Sequence, residues 1–347
     1  MIPTPRTLFT LRLLLALGLS SAVRLPAAQS DAKPAAATDR IVAAANAFLA
    51  TLDSEARAKV AFAGDDRAQR TRWSNLPTGI FERRGLRLAD LTPPQQAAVD
   101  ALLATALSPE GYRRTHEIME GDEVLRTTEK PGRLIFGSSE YFVAFVGAPS
   151  ATDPWTLQFG GHHLALNLTI IGSRNTIAPS FVGAQPAVYT IRGERKRPLG
   201  VATDLSFELI NALDESQRGR AVLGARFRDL VLGPGQDGRA IVPEGVRADS
   251  FTPAQRQRLL DLIRQWVGVV HAEATDAKMR EVEASLAETY FMWSGPLTPG
   301  SPAYFRIQGP AVLIEYAPQA MGGDATMHLH TIYRDPAGDY DTRRAGG

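Results

Sequence analysis

The chain repeats one series of motifs in the same order, and this repetition constrains its fold more than any other feature. Residues 85–95 (GLRLADLTPPQ) resemble residues 245–255 (GVRADSFTPAQ), and residues 52–57 (LDSEAR) match residues 213–218 (LDESQR). Shared helix-start chemistry explains the Thr-Pro part of the first match alone. Four matches in one order predict a duplicated unit of about 150 residues. The other two matches are Tyr141-Phe142 and Gly147 with Tyr290-Phe291 and Gly295, and the segments around Gly161 and Gly309.

Each copy is predicted to contain helices first and strands afterwards. Apolar residues recur at helical spacing where each copy begins, and Thr-Pro pairs then begin helices at 92–107 and 252–270. A further helical stretch follows in each copy, at 109–127 and 275–288, before runs of aromatic and branched residues indicate strands. This order predicts an α+β fold with antiparallel strands, in which two copies pack pseudo-symmetrically. The predicted strands are 140–146, 154–159 and 163–171, then 289–294, 303–308, 311–316 and 327–334.

The N-terminus has the pattern of an export signal. Arg6 and Arg12 precede a short apolar run, and small residues follow it. The run is shorter than the roughly 20 residues that a membrane-spanning helix needs. Cleavage after Ala22 or near residues 27–28 is therefore favoured over the alternative, an uncleaved anchor. We expect residues 1–28 to be a signal peptide and short leader, and the mature protein to be periplasmic or extracellular without a stable membrane span.

The remainder of the chain divides into three parts. Copy one is expected at 38–172 and copy two at 199–340. The Pro- and Gly-bearing stretch 173–198 between them is the expected linker.

Composition excludes several kinds of function. The formal charge is +1, from 38 basic and 37 acidic residues, so the chain lacks the basic excess typical of nucleic-acid partners. It has no cysteine, which excludes disulfides, thiolate metal sites and a cysteine nucleophile. Neither a Gly-x-Ser-x-Gly motif nor a glycine-rich nucleotide-binding loop occurs. A small-molecule ligand and the oligomeric state are left open.

Four of the six histidines form two clusters, His162-His163 and His328-x-His330. On a strand, His328 and His330 point to one face about 7 Å apart, whereas His162 and His163 would point to opposite faces of a regular strand. Glu315, on a strand expected to pair with the His328 strand, is the candidate carboxylate. One of His162 and His163, together with His328, His330 and Glu315, is therefore predicted to bind a divalent transition metal such as zinc, copper or iron. The alternatives are imidazoles that hydrogen-bond within a packed sheet, and metal-free catalysis or ligand contact.

Polar and aromatic residues on neighbouring strands are candidates for binding a small ligand. Arg306 in a pocket can bind a carboxylate or phosphate bidentately, and the alternative is an ion pair with Glu315. Asn167 falls where the second copy has Glu315, so the copies have diverged at this position. The ligand-contact candidates are Trp155, Gln158 and Asn167 in the first copy and Tyr304, Arg306 and Gln308 in the second.

Several motifs together resemble one known family. They are 155–167 (WTLQFGGHHLALN), 181–186 (FVGAQP), 304–310 (YFRIQGP) with Ile314-Glu315-Tyr316, and 328–331 (HLHT) with Arg334-Asp335-Pro336. This combination is similar to the family catalogued as domain of unknown function 3500, over essentially the whole mature chain. The chain departs from the family at Asp339-Tyr340-Asp341, where an Asp-Tyr-Gly-like stretch is usual. The resemblance implies an exported protein and no assigned activity.

The sequence therefore predicts an exported protein with one metal-assisted site near the interface of the copies, acting in hydrolysis or in oxidation. One alternative is a non-catalytic module that holds a small acidic or sugar-like ligand in a cleft lined by Trp155, Tyr304 and Arg306. Another is a structural envelope protein. The histidine pairs and Glu315 have no clear counterparts in the opposite copy, so any activity is expected to reside there.

Overall fold

The helices of the computed structural model begin where the sequence carries helix-start residues. The structure describes Met1 and residues 32–130, 132–321 and 323–341. The Thr252 hydroxyl accepts the backbone N–H of Gln255, and the Gln255 side chain accepts that of Thr252, a reciprocal cap. The helices are α1 (Ala32–Ala50), α2 (Ser54–Val60), α3 (Arg67–Arg70), α4 (Pro93–Ala106), α5 (Pro109–Thr128), α6 (Gly200–Ala212), α7 (Glu215–Ala221), α8 (Pro253–Val267) and α9 (Ala272–Ala284).

Twelve of the described strands form one sheet, to which both halves of the chain contribute. The strands are β1 (Ala61–Phe62), β2 (Leu86–Arg87), β3 (Phe142–Val146), β4 (Trp155–Gly161), β5 (Leu164–Ile171), β6 (Arg174–Thr176), β7 (Ser180–Val182), β8 (Tyr189–Ile191), β9 (Glu194–Lys196), β10 (Val246–Arg247), β11 (Tyr290–Ser294), β12 (Tyr304–Gln308), β13 (Leu313–Pro318) and β14 (Leu329–Arg334). The order is β1-β3-β4-β5-β7-β14-β13-β12-β11-β10, with β2 beside β3 and β6 beside β5. All of these pairs are antiparallel except β1 with β3, while β8 and β9 form a separate hairpin.

The two halves of the sheet meet between β7 and β14 and are alike in the order of their elements. In each half, two helices, a two-residue strand and two further helices precede an antiparallel run of strands, and the first half also contains β1 and α3. Gln158 pairs with Asn167 across β4 and β5. Arg306 and Glu315, each 148 positions later, pair across β12 and β13. The mixture of helices and antiparallel sheet confirms the predicted α+β class, while the duplication itself stays a prediction.

The segment 173–198, expected to be a linker, carries four strands. The strand β7 lies at the centre of the sheet, where it pairs with β5 on one side and β14 on the other. Pro179, Gly183 and Pro186 flank this three-residue strand and conceal it in the sequence, because these residue types usually mark loops. The two halves are therefore joined by a strand of the connecting segment itself.

Residues 2–28 of the predicted signal peptide and leader lie outside the described residues. Within the part of the chain that the structure describes, no helix has both the length and the apolar character needed to cross a membrane.

One face of the sheet is apolar and lies under the long helices. Phe305 of β12 lies against Trp266 of α8, with ring centroids 6.0 Å apart, and Phe145 of β3 lies against Phe48 of α1 at 6.2 Å. All four rings are fully buried. Burial of each such ring contributes about 2–3 kcal/mol, so these contacts hold the helices on this face.

The other face is polar and lies under two long loops, the first covering segment (63–85) and the second covering segment (223–245). Gln158 donates to the Arg70 carbonyl of the first segment at 3.0 Å. Gln308 donates to a backbone carbonyl of the second segment at 2.8 Å. Because strand side chains alternate between faces, most polar residues of β4, β5, β12, β13 and β14 point toward these segments, whereas Thr331 of β14 is bonded to Trp266 of α8 on the other face.

Candidate metal centre

His162 and His163 form the two-residue turn between β4 and β5. They therefore do not lie on a regular strand, and the rule that neighbours point to opposite faces does not apply to them. His163 has a φ of 59°, a left-handed conformation that is uncommon for a residue with a side chain. Its backbone N–H donates to the Asn75 carbonyl at 3.1 Å, and its carbonyl accepts from the N–H of Gly183 at 2.7 Å. These two bonds fix the direction of the His163 ring.

The rings of His163, His328 and His330 converge on one point. His328 immediately precedes β14 and His330 is its second residue, so both rings lie on the face that His163 approaches from the β4–β5 turn. The three Nε2 atoms are 2.9, 3.0 and 3.2 Å apart. These separations are short enough for one ion, at the usual metal–nitrogen distance of about 2.0–2.1 Å, to be held by all three atoms. All three side chains are buried, and together they can hold a metal ion.

Hydrogen bonds on the far side of two rings fix their tautomers. His328 Nδ1 lies 3.0 Å from the Met321 carbonyl, and His330 Nδ1 lies 2.9 Å from the Asp229 carboxylate. Both partners only accept, so each Nδ1 carries a proton, and in the neutral rings each Nε2 presents a lone pair. The His328–His330 contact therefore joins two lone pairs at 3.0 Å. A proton on His163 Nε2 can hydrogen-bond to one of these lone pairs, but it does not remove the repulsion between the two. A metal ion can accept the Nε2 lone pairs of all three histidines.

Burial favours the neutral form of two imidazoles of the cluster, those of His163 and His328. Burial lowers the pKa of His328 to about 4. Burial, with a smaller effect from the neighbouring imidazoles, lowers the pKa of His163 well below its usual value. Burial alone would raise the pKa of Asp229, but its hydrogen bonds from His330 and from the Leu230 N–H hold that pKa below its usual value. A metal ion would thus meet His163 and His328 as ligands with no proton to lose at neutral pH.

His162 does not join the cluster but supports it. Its Nδ1 is bonded to the buried Asp122 carboxylate at 2.6 Å. Its ring lies between Phe136, at 5.0 Å between centroids, and His163, at 3.7 Å. Asp122 is in turn bonded by the backbone N–H of Gly137 at 3.3 Å. His162 therefore links helix α5 to the ring of a candidate ligand.

Glu315 also lies apart from the three imidazoles. It pairs with Ile332 in the sheet, whereas His330 pairs with Ala317, so Glu315 is two residues farther along the same face. Its carboxylate accepts from the Tyr304 hydroxyl at 2.5 Å and from the backbone N–H of Leu232 at 2.8 Å. Burial raises its pKa, although these hydrogen bonds favour the charged form. In this structure Glu315 holds the second covering segment rather than the cluster.

The six ligand-contact candidates do not form one site. Trp155 is buried on the apolar face, and its indole N–H donates to the Ser150 carbonyl at 2.9 Å. On the polar face, the side chains of Gln158 and Asn167 are bonded to each other at 2.9 Å. Tyr304 is bonded to Glu315, Arg306 forms a 2.7 Å ion pair with Glu244, and Gln308 is bonded to the Ile241 carbonyl.

Two of the cavities beneath the covering segments lie near the cluster or connect with its surroundings. The smaller, of about 320 Å³, lies beside His330 and is also lined by Asn75 and Asp229. The larger, of about 850 Å³, shares Gln236 and Arg239 with the smaller one. The smaller cavity gives the cluster room for a water molecule or substrate next to one of its rings.

Sequence reasoning missed the residues that support the histidines. Asn75, Asp122 and Asp229 come from a loop, a helix and another loop, and no local pattern distinguishes them from surface residues. Gly183 lies within the 181–186 motif, which is one of the motifs that carry the family resemblance. A Cβ at that position would lie 3.1 Å from the His163 ring and 2.7 Å from a backbone carbonyl, so glycine allows the close approach.

Comparison with known proteins gives a family and no relative of known activity. No curated protein and no solved structure matches the chain. The model of the family described as "Protein of unknown function (DUF3500)" matches residues 34–342, most of the 347-residue chain. This confirms the resemblance seen in the motifs around the histidines: the chain belongs to the DUF3500 family.

Proposed function

We propose that the protein binds one divalent transition metal ion through His163, His328 and His330 and uses it for hydrolysis. The observation that carries the proposal is the 3.0 Å contact between the Nε2 atoms of His328 and His330, both of which bear lone pairs. Two buried acceptors at that distance repel each other unless a cation lies between them. Without a cation, the donors within reach of these two atoms are a proton on His163 Nε2 and the Asn75 amide, which lies 3.4 Å from His330 Nε2.

The ligand set favours zinc. A pair of histidines with one carboxylate is typical of non-heme iron, but Glu315 is engaged by Tyr304 and Leu232 and lies outside the cluster. Three histidines with an open fourth position are typical of catalytic zinc. Copper and iron remain the other metals to test.

The chain's own residues would orient the site. Asp229 holds His330 with its Nε2 toward the ion, and the Met321 carbonyl does the same for His328. The Asn75 amide lies 3.4 Å from His330 Nε2, where it can bond a water molecule in the adjoining cavity. A bound metal ion lowers the pKa of its water toward neutrality and polarises a carbonyl group, the chemistry needed for hydrolysis.

Metal binding is tested with protein purified without an affinity tag, stripped with a chelator and dialysed against zinc. We expect one zinc per chain by elemental analysis, and its loss in His328→Ala and His163→Ala. His116→Gln is the matched control, because His116 is bonded to Asp100 far from the cluster in the fold. Binding that is absent in the wild type, or equally tight in His328→Ala, would overturn the proposal.

Catalysis is tested separately from binding. Zinc-loaded protein should hydrolyse p-nitrophenyl acetate faster than chelator-treated protein and faster than zinc-treated His328→Ala. Stoichiometric zinc without any such difference would refute the hydrolytic part and leave a metal-binding protein.

We also propose that the protein is exported. The support is the arginine-flanked apolar run before residue 28. Expression of the full chain in a bacterium, followed by fractionation and N-terminal mass analysis, should give a periplasmic or secreted form cut after Ala22 or near residues 27–28. An uncut chain in the cytoplasm would contradict this.

A third proposal is that the chain arose by duplication of one unit. The support is the shared order of elements and the constant spacing of 148 positions between the Gln158–Asn167 and Arg306–Glu315 pairs. Averaged sequence patterns of the two halves, taken over many family members, should align at this spacing through the strands. Halves whose patterns align no better than unrelated α+β chains would refute it.

A further inference from the structure

The larger cavity lies between the two covering segments. Arg67 and Arg70 of α3 line it from the first segment, and residues 236–241 line it from the second. The β12–β13 hairpin and the chain near Tyr340 complete the walls. Its volume of about 850 Å³ falls within the 300–1,000 Å³ range of small-molecule sites. The cavity is thus large enough for an organic molecule that touches both halves of the chain.

The charges that line this cavity do not balance. Among the described residues, the guanidinium groups of Arg67, Arg70 and Arg239 have no carboxylate partner, since Arg70 is bonded to a backbone carbonyl and Arg239 to Gln236 and a carbonyl. Of the lining carboxylates, Glu288 is the one with no basic partner. Of the others, Asp335 is paired with Lys278, while Asp237 and Asp339 share Arg334, so the five arginines of the lining exceed its four carboxylates by one. Arg247, a further lining arginine, is paired with Asp249.

The three guanidinium groups without a carboxylate partner come from both sides of the cavity. Arg67 and Arg70 are three positions apart on α3, so their side chains lie on the same side of that helix. Arg239 belongs to the opposite covering segment and also lines the smaller cavity beside His330. A ligand held by all three would span the space between the segments.

The remaining wall is largely apolar. Leu232, Ile241, Pro243 and Leu313 line it, together with Pro310 and Pro336. Apolar surface of this kind stabilises a bound hydrocarbon or aromatic body, while planar guanidinium groups bind carboxylate-like anions through paired hydrogen bonds.

We infer that the larger cavity binds an organic anion with an apolar body, whose anionic group lies on Arg67, Arg70 and Arg239. The inference goes beyond the proposed metal site and does not depend on it. A ligand anchored at Arg239 would extend toward His330, because Arg239 lies at the junction of the two cavities. Solvated arginines with no ligand are the alternative that the experiment must exclude.

The experiment uses 1-anilinonaphthalene-8-sulfonate, a fluorescent aromatic anion, as the probe in the full mature chain. One probe molecule per chain should bind, and decanoate should displace it at least tenfold more effectively than decanol, which has the same body without the charge. Raising the salt concentration from about 0.05 to about 0.5 M should weaken decanoate but not decanol. Equal displacement by decanoate and decanol would overturn the inference, and this comparison needs no variant.

A variant then locates the site. The triple substitution Arg67→Gln, Arg70→Gln and Arg239→Gln should weaken decanoate binding at least tenfold. The matched control removes the same charge from exposed positions that line neither cavity: Arg195→Gln, Arg226→Gln and Arg228→Gln. Thermal unfolding verifies that both variants are folded. Equal loss of binding in both triple variants would also overturn the inference. Chelator-treated protein should bind decanoate as the zinc-loaded protein does, so failure of the metal proposal leaves this result intact.

Discussion

Substitution of Asp229 should weaken metal binding in two graded steps. Asp229 Oδ1 accepts three hydrogen bonds: from the Leu230 N–H at 2.7 Å, from Gln319 at 2.9 Å and from His330 at 2.9 Å. In Asp229→Asn the Leu230 and Gln319 donors keep the amide oxygen in the same place, so His330 retains its tautomer. The variant loses only the charge. Asp229→Ala loses the acceptor altogether.

The structure sets the size of each step. Loss of the hydrogen-bonding partner of a metal-bound histidine typically weakens metal binding 10–100-fold. The Asp229 side chain is 53% exposed, so water replaces part of the lost interaction and the lower end applies. We therefore expect about tenfold weaker zinc binding in Asp229→Ala, or about 1.4 kcal/mol. A neutral acceptor retains about half of such a bond, so Asp229→Asn should cost about 0.7 kcal/mol, a factor of about three.

The assay is competition for zinc against a chromophoric chelator, with Asp276→Asn on the exposed surface of α9 as the control. Zinc binding that is weaker in Asp229→Asn than in the wild type, and weaker again in Asp229→Ala, would support the role of Asp229. Affinities for both variants within about twofold of the wild type would refute it, as would an Asn variant weaker than the Ala variant.

Three other perturbations probe the approach to the site and the fold. Gly183→Ala places a Cβ 3.1 Å from the His163 ring, so it should weaken zinc binding and lower the unfolding temperature. Gly224→Ala is the control and should change neither, because no atom lies within 4 Å of its Cβ. Equal effects of the two variants would contradict the packing argument. Burial raises the pKa of Glu315, so the folded state holds the carboxyl proton more tightly than the unfolded state does. The stability of the wild type relative to Glu315→Gln should therefore fall as the pH rises above about 4.3. Urea unfolding from about pH 4 to about pH 8 measures this, and a constant difference would show the pKa to be unshifted. Leu262→Ala, fully buried under the sheet, should cost about 2–5 kcal/mol by the same assay, and a loss below about 1 kcal/mol would place it outside the core.

Local elements of the fold were predictable because short-range chemistry specifies them. The predicted helix at 109–127 is α5, Pro109–Thr128, and the predicted strand at 163–171 is β5, Leu164–Ile171. Caps act over three residues and strand alternation over two, so the sequence carries them directly. The strand β7 escaped prediction because a three-residue strand between loop-forming residues has no periodicity, and its place is fixed by its neighbours β5 and β14.

The candidate site was only partly predictable. The two histidine clusters and their residue types were visible, as was the expectation that His328 and His330 share a face. The sequence did not show that His163 rather than His162 joins the cluster, because this depends on a turn whose backbone is held by Asn75 and Gly183. The separation of Glu315 from the cluster depends on strand register, which places it opposite Ile332 rather than His330.

The sequence by itself therefore determined the α+β class, the family, the positions of most helices and strands, and a small set of candidate metal ligands. Only the tertiary structure decided which three imidazoles meet, which carboxylate orients them and which cavity they adjoin. The physical reason is distance along the chain. His163 meets His328 across 165 positions, and Asp229 meets His330 across 101. The first contact forms when the two halves of the sheet join at β7 and β14, and the second when the second covering segment folds over β14. No local pattern encodes either contact.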